Sequence, residues 1–65
     1  MEGVLYTDAE PIRNPNNVWE VVVPKNENFS GNVNDVLQTA TYIFYIDVIT
    51  ELHDGDTLLY LTPKQ

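Results

Sequence analysis

Apolar and polar residues alternate most sharply in the C-terminal third of the chain. Residues 42–52 read Tyr-Ile-Phe-Tyr-Ile-Asp-Val-Ile-Thr-Glu-Leu, a run dominated by β-branched and aromatic strand formers. Asp54-Gly55 follows, and residues 57–61 form a second apolar run. An Asp-Gly pair between two such runs predicts a β-hairpin, because a type I′ turn needs positive φ at both central residues. With Asp54-Gly55 at the turn, His53 pairs with Asp56, Leu52 with Thr57, Thr50 with Leu59 and Val48 with Leu61. That register puts Phe44, Ile46, Val48, Leu52, Leu59 and Leu61 on one face and Tyr45, Asp47, Ile49, Glu51, Leu58 and Tyr60 on the other. A helix running through residues 33–52 is the competing reading. The β-branched run argues against it, although periodicity alone leaves it open.

Residues 3–9 predict a first strand and residues 18–23, Val-Trp-Glu-Val-Val-Val, a stronger one. Asn14-Pro15 between them is a turn initiator, so the two strands are expected to form a hairpin with a long loop. Pro24 ends the second strand, since proline has no N–H for the ladder. All seven asparagines fall between positions 14 and 34, which marks that region as loop-rich, with residues 25–31 as a connector. Asn32 is a candidate N-cap. Val33, Val36, Leu37 and Ala40 follow at i, i+3, i+4 and i+7, the spacing of one helical face, with Asp35 in the first turn. Such a short helix is marginal alone and has to pack on a sheet. The expected fold class is therefore α+β: a small antiparallel sheet in the order β-β-α-β-β with one short helix packed on it, forming a single domain over residues 1–65.

Size constrains how this fold is stabilised. A chain of 65 residues buries only about 60% of the surface it exposes when unfolded. Disulfides are excluded by the lack of cysteine, and a structural zinc site is disfavoured because His53 is the only histidine. Association with another chain, or dense packing of the seven aromatic residues, remains. The first residues show no basic and apolar leader pattern, and the apolar run at residues 42–46 is too short to span a bilayer. The expected location is cytoplasmic. Asn28-Phe29-Ser30 matches a glycosylation acceptor, a pattern that recurs by chance.

The net charge is −7, with only Arg13, Lys25 and Lys64 opposing ten acids. Between Asn26 and Pro63 there are six acids (Glu27, Asp35, Asp47, Glu51, Asp54 and Asp56) and no lysine or arginine. Direct binding to nucleic acid or an anionic membrane is disfavoured, because phosphate contacts need cations. Attraction to a basic protein surface is favoured. The plainer role for the charge is solubility.

No stretch names a chemistry. His53-Asp54-Gly55-Asp56 contains a fragment of a calcium-loop pattern, but a hairpin turn accounts for it, and no metal site or cofactor is expected. His53 with Asp56 or Glu51 has the residue types of a general acid–base pair. There is no cysteine nucleophile, Ser30 is the only serine, and no glycine-rich phosphate loop is present, so catalysis is not expected. The second hairpin face is the candidate working surface: Tyr45, Asp47, Ile49, Glu51, Leu58 and Tyr60, with Asp54 and Asp56 toward the turn. Antiparallel sheets ordinarily turn one polar face to water, and this one is half apolar. Either the first hairpin folds over it as a small sandwich or half-barrel, or another chain covers it. Trp19 is a candidate core residue and an alternative anchor. An apolar centre rimmed by carboxylates suits a basic groove, such as that of a nucleic-acid-binding enzyme. Small acidic inhibitors that imitate the phosphates of DNA fit this description as a class. The expected function is thus a non-enzymatic protein-binding module, most specifically such a DNA-mimic or anti-defence inhibitor. A structural subunit forming a homodimer or larger homo-oligomer through the same face is the alternative.

Overall fold

The β-branched and aromatic runs form strands, and so do shorter stretches between them. The computed structural model describes residues 4–64. Six strands are hydrogen-bonded into one mixed sheet: β1 (Val4–Tyr6), β2 (Ile12–Arg13), β3 (Trp19–Val23), β4 (Val36–Gln38), β5 (Ile43–Glu51) and β6 (Thr57–Pro63). Their spatial order is β1-β4-β5-β6-β3-β2. The helical content of the described residues is one 3-10 turn, Lys25–Glu27.

The expected α+β architecture is therefore corrected to an all-β one. Asn34 takes a left-handed φ of 78°, which interrupts a helix, and asparagine tolerates that conformation better than most residues. Backbone groups that a helix would pair internally bond to β5 instead: Asn34 N donates to Ile46 O at 2.8 Å and Ile46 N to Asp35 O at 3.0 Å. Residues 36–38 then run as a strand, and Leu37, paired with Phe44, is fully buried. Tertiary pairing outweighs a helical spacing of only four residues.

The first hairpin is also corrected. β1 does not pair with β3. It lies parallel to β4, with Leu5 opposite Leu37, while β3 lies antiparallel to β6. The Asn14-Pro15 turn does form, and it joins β3 to the short β2. Asn14 Oδ1 accepts from the N–H groups of Asn16 (2.9 Å) and Val18 (3.1 Å), and Asn17 sits at φ 67°.

The Asp54-Gly55 hairpin is present with a different register. Leu52 N donates to Asp56 O, and Gly55 N to Leu52 O, which closes a three-residue loop with Gly55 at φ 97°. Glu51 pairs with Thr57, Ile49 with Leu59 and Val48 with Tyr60, one residue away from the expected pairing. A β-bulge at Asp47 then shifts the register again, so that Ile46 pairs with Leu61 and Phe44 with Pro63. The two departures compensate for Phe44 and Ile46, which face the core as expected. Val48 and Ile49 exchange faces: Val48 is exposed, and Ile49 packs against the core.

The inner face is closed by curvature. Laid flat, six strands would hold β1 and β2 about 24 Å apart. The link from Tyr6 to Ile12 reaches only about 20 Å when fully extended. The sheet must therefore curl, and residues 7–11 cross its open side. Thr7 and Pro11 are buried, and Ala9 packs on the core. Thr7 donates through Oγ1 to Glu27 Oε1 at 2.8 Å and accepts there from Ala9 N, so this buried hydroxyl is satisfied. Val21, Val23, Leu37, Phe44, Ile46, Leu59 and Leu61 form the core. Trp19 is half-buried beside it, its ring 5.5 Å from Tyr42 and 5.6 Å from Phe44, with the Arg13 guanidinium 5.3 Å over its face.

Gly31 closes one end. A Cβ there would lie 2.2 Å from Leu5 Cδ1 and 2.7 Å from Phe29 Cζ. Gly31→Ala is expected to cost about 1–2 kcal/mol, since both side chains must move out of a packed arrangement. An unchanged urea midpoint would show that the loop adjusts freely.

Candidate functional site

β3 joins the sheet edge-on beside β6 rather than folding over the hairpin, so the outer face has no covering layer among the described residues. In-register neighbours make that face continuous. Val4, Val36, Tyr45 and Thr62 form one row across β1, β4, β5 and β6. Val48, Tyr60, Glu20 and Ile12 form a second across β5, β6, β3 and β2, and Thr50, Leu58 and Val22 a third. Val4, Tyr6, Ile12, Val22, Ile43, Tyr45 and Val48 are each 40% to 63% exposed. The solvated side of an antiparallel sheet normally alternates to polar residues, and contiguous apolar area of this kind marks interaction surfaces.

Carboxylates are set into the apolar rows. Asp47 projects at the bulge and accepts a hydrogen bond from the Thr62 hydroxyl. Glu20 lies between Tyr60 and Ile12 and accepts from Asn14 Nδ2 at 2.9 Å, which holds its charge in place. Asp8 lies past the end of β1. By hydrogen bonding and by its charge, with slight burial adding, it raises the pKa of the Tyr6 phenol above the ordinary value. Asp8→Asn should return that titration toward normal in a pH-dependent absorbance scan. The Lys64 ammonium stands 6.0 Å from the Tyr45 ring centroid and brings one cation to this surface.

The expected site residues separate into two groups. Tyr45, Asp47, Leu58 and Tyr60 share the outer face, whereas Ile49 is turned to the core by the bulge. Glu51 is exposed at the end of β5. Asp54 and Asp56 shape the turn. Asp54 Oδ1 accepts from Asp56 N at 3.1 Å, and Asp56 Oδ1 accepts from Lys25 N at 2.9 Å, tying the turn to the segment after β3. Sequence reasoning missed Val4, Ile12, Val22, Val36 and Val48 on this face. Alternation along β3 could have revealed Val22. The others depend on strand pairings that have no local signal.

His53 is exposed in the turn. Among the described residues no group of three or more His, Cys, Asp or Glu side chains is placed to hold a metal ion, and no helix is long and apolar enough to cross a membrane. A surface depression lined by Pro24, Lys25, Asn26, Asn28 and Asp56 is wide open to solvent, and its one carboxylate, Asp56, accepts from the Lys25 backbone N–H. No protein-family model, no curated protein and no solved structure matches the chain, so the site is read from its own chemistry.

Proposed function

We propose that this chain is a non-enzymatic protein-binding module that engages a basic protein surface through the outer face of its sheet. The observation that supports it is the set of in-register apolar rows with Glu20 and Asp47 inside them, on a chain of net charge −7. Tyr45, Tyr60 and Val48 supply area for desolvation, and the carboxylates supply orientation and encounter rate. The more specific form is an inhibitor that occupies the nucleic-acid-binding surface of its partner. A second copy seated here would bring −7 against −7, which favours a basic partner over self-association.

Capture of nucleic-acid-binding proteins on the immobilised chain tests this reading. Bound protein should be released by duplex DNA and by salt. Asp47→Lys with Glu51→Lys should weaken capture by about tenfold or more and flatten the salt dependence, without unfolding the domain. Asp54 and Asp56 are left intact because they build the turn. Capture indifferent to salt and to DNA would exclude the inhibitor. A dimer in sedimentation that Tyr60→Lys dissociates would replace it with the assembly role.

A further inference from the structure

β5 is flanked unequally. β6 runs along its whole length, but β4 pairs only with Ile43, Phe44 and Tyr45. The chain makes its last bonds to β5 at Ile46, through Asn34 and Asp35. Leu52 and Asp56 form a hydrogen-bonded pair at the turn. In an antiparallel ladder such pairs alternate, so Thr50 and Val48 also bond toward β6, while Ile49 and Glu51 present their N–H and C=O groups to the opposite side. Among the described residues no backbone hydrogen bond meets them there.

An open edge is a template for another strand, and proteins defend such edges with lysine, proline, bulges or misplaced charges. Here the defence is the Asp47 bulge and two carboxylates, with no lysine or proline in residues 47–51. Against a second copy it works. Antiparallel pairing centred on Ile49 would run each copy's edge into the other's Asp47 bulge and bring −7 against −7, both of which oppose it. Against a cationic strand the same carboxylates attract. We propose that the free margin of β5 beyond the bulge, residues 48–51, captures an extended basic segment of the partner as an added strand, with an apolar residue opposite Ile49 and lysine or arginine opposite Glu51. This rests on the reading that the partner is basic, and it adds a second contact beside the outer face.

The probe is a fluorescent peptide, acetyl-Thr-Lys-Thr-Val-Thr-Arg-Thr-amide, titrated into the full chain. Only the lysine, opposite Glu51, and the valine, opposite Ile49, would direct backbone N–H groups at β5 beyond the bulge. N-methylation of those two should weaken binding by at least about tenfold, because hydrogen bonds are lost at unchanged charge. N-methylation of the four threonines should leave affinity within about threefold, since those N–H groups face away. Binding should slow amide exchange at Ile49 and Glu51 by about tenfold or more. Glu51→Pro should abolish binding with the fold retained, because that N–H faces away from β6, whereas Glu51→Gln should weaken it less. Equal affinity for all three peptides, or no binding, would overturn the proposal. Equal affinity with spectral changes at Tyr45, Val48 and Tyr60 would overturn it while leaving the outer-face reading intact. Discrimination among the peptides in a chain that captures no DNA-releasable protein would uphold the edge and remove the inhibitor.

Discussion

Phe44→Ala is expected to remove about 3–5 kcal/mol, a large share of the stability of the domain. Phe44 has no exposed surface, pairs with Leu37 across β4, and lies 5.6 Å from the Trp19 ring and 6.0 Å from the Tyr42 ring. Truncating a buried phenylalanine costs about 3–5 kcal/mol, from lost transfer energy and from the cavity left behind. At about 0.05–0.15 kcal/mol per residue, a domain of this size has roughly 3–10 kcal/mol in total. The aromatic cluster joins β3, β5 and the turn before β5, so nothing adjacent compensates for the loss. Urea denaturation followed by circular dichroism measures it. Tyr45→Ala, one residue along and on the outer face, should cost less than about 1 kcal/mol. Similar losses for the two would refute the assignment of faces.

Ile49→Asp and Val48→Asp form the second test. The hairpin register read from Asp54-Gly55 places Val48 inside and Ile49 outside, and the structure reverses them. Ile49 packs on the core opposite Leu59, so a carboxylate there loses water without gaining a cation. A cost of about 2–4 kcal/mol is expected. Val48 is 44% exposed beside Tyr60, and aspartate there should cost under about 1 kcal/mol. The pair of midpoints reads the bulge directly. If Val48→Asp were the more damaging change, β5 would run through without a bulge and the outer face described above would be misassigned. The same variant serves the functional question, since it places a charge within the apolar rows and leaves the edge of β5 open.

Much of the strand content was legible locally. β3, β5 and β6 lie where β-branched and aromatic residues concentrate. Pro24 ends β3, and the turns at Asn14-Pro15 and Asp54-Gly55 form where proline, asparagine and glycine supply the required φ. Four of the eight residues expected at the candidate surface, Tyr45, Asp47, Leu58 and Tyr60, lie on the outer face where alternation alone puts them. The helix expected after Asn32 failed because Val33, Val36, Leu37 and Ala40 match a helical face by spacing, while a three-residue strand has too few positions to show a period of two.

By itself the sequence determined the acidity, the β-rich composition and the places where the chain turns, since these depend on each residue and its nearest neighbours. Only the tertiary structure decided that β1 lies parallel to β4, that β3 docks on β6, that residues 36–38 extend, and that Asp47 bulges to turn Ile49 inward. Those outcomes depend on partners distant in sequence. Leu37 is buried because Phe44 and Leu5 flank it, and the sheet curls because residues 7–11 are too short to join its edges otherwise.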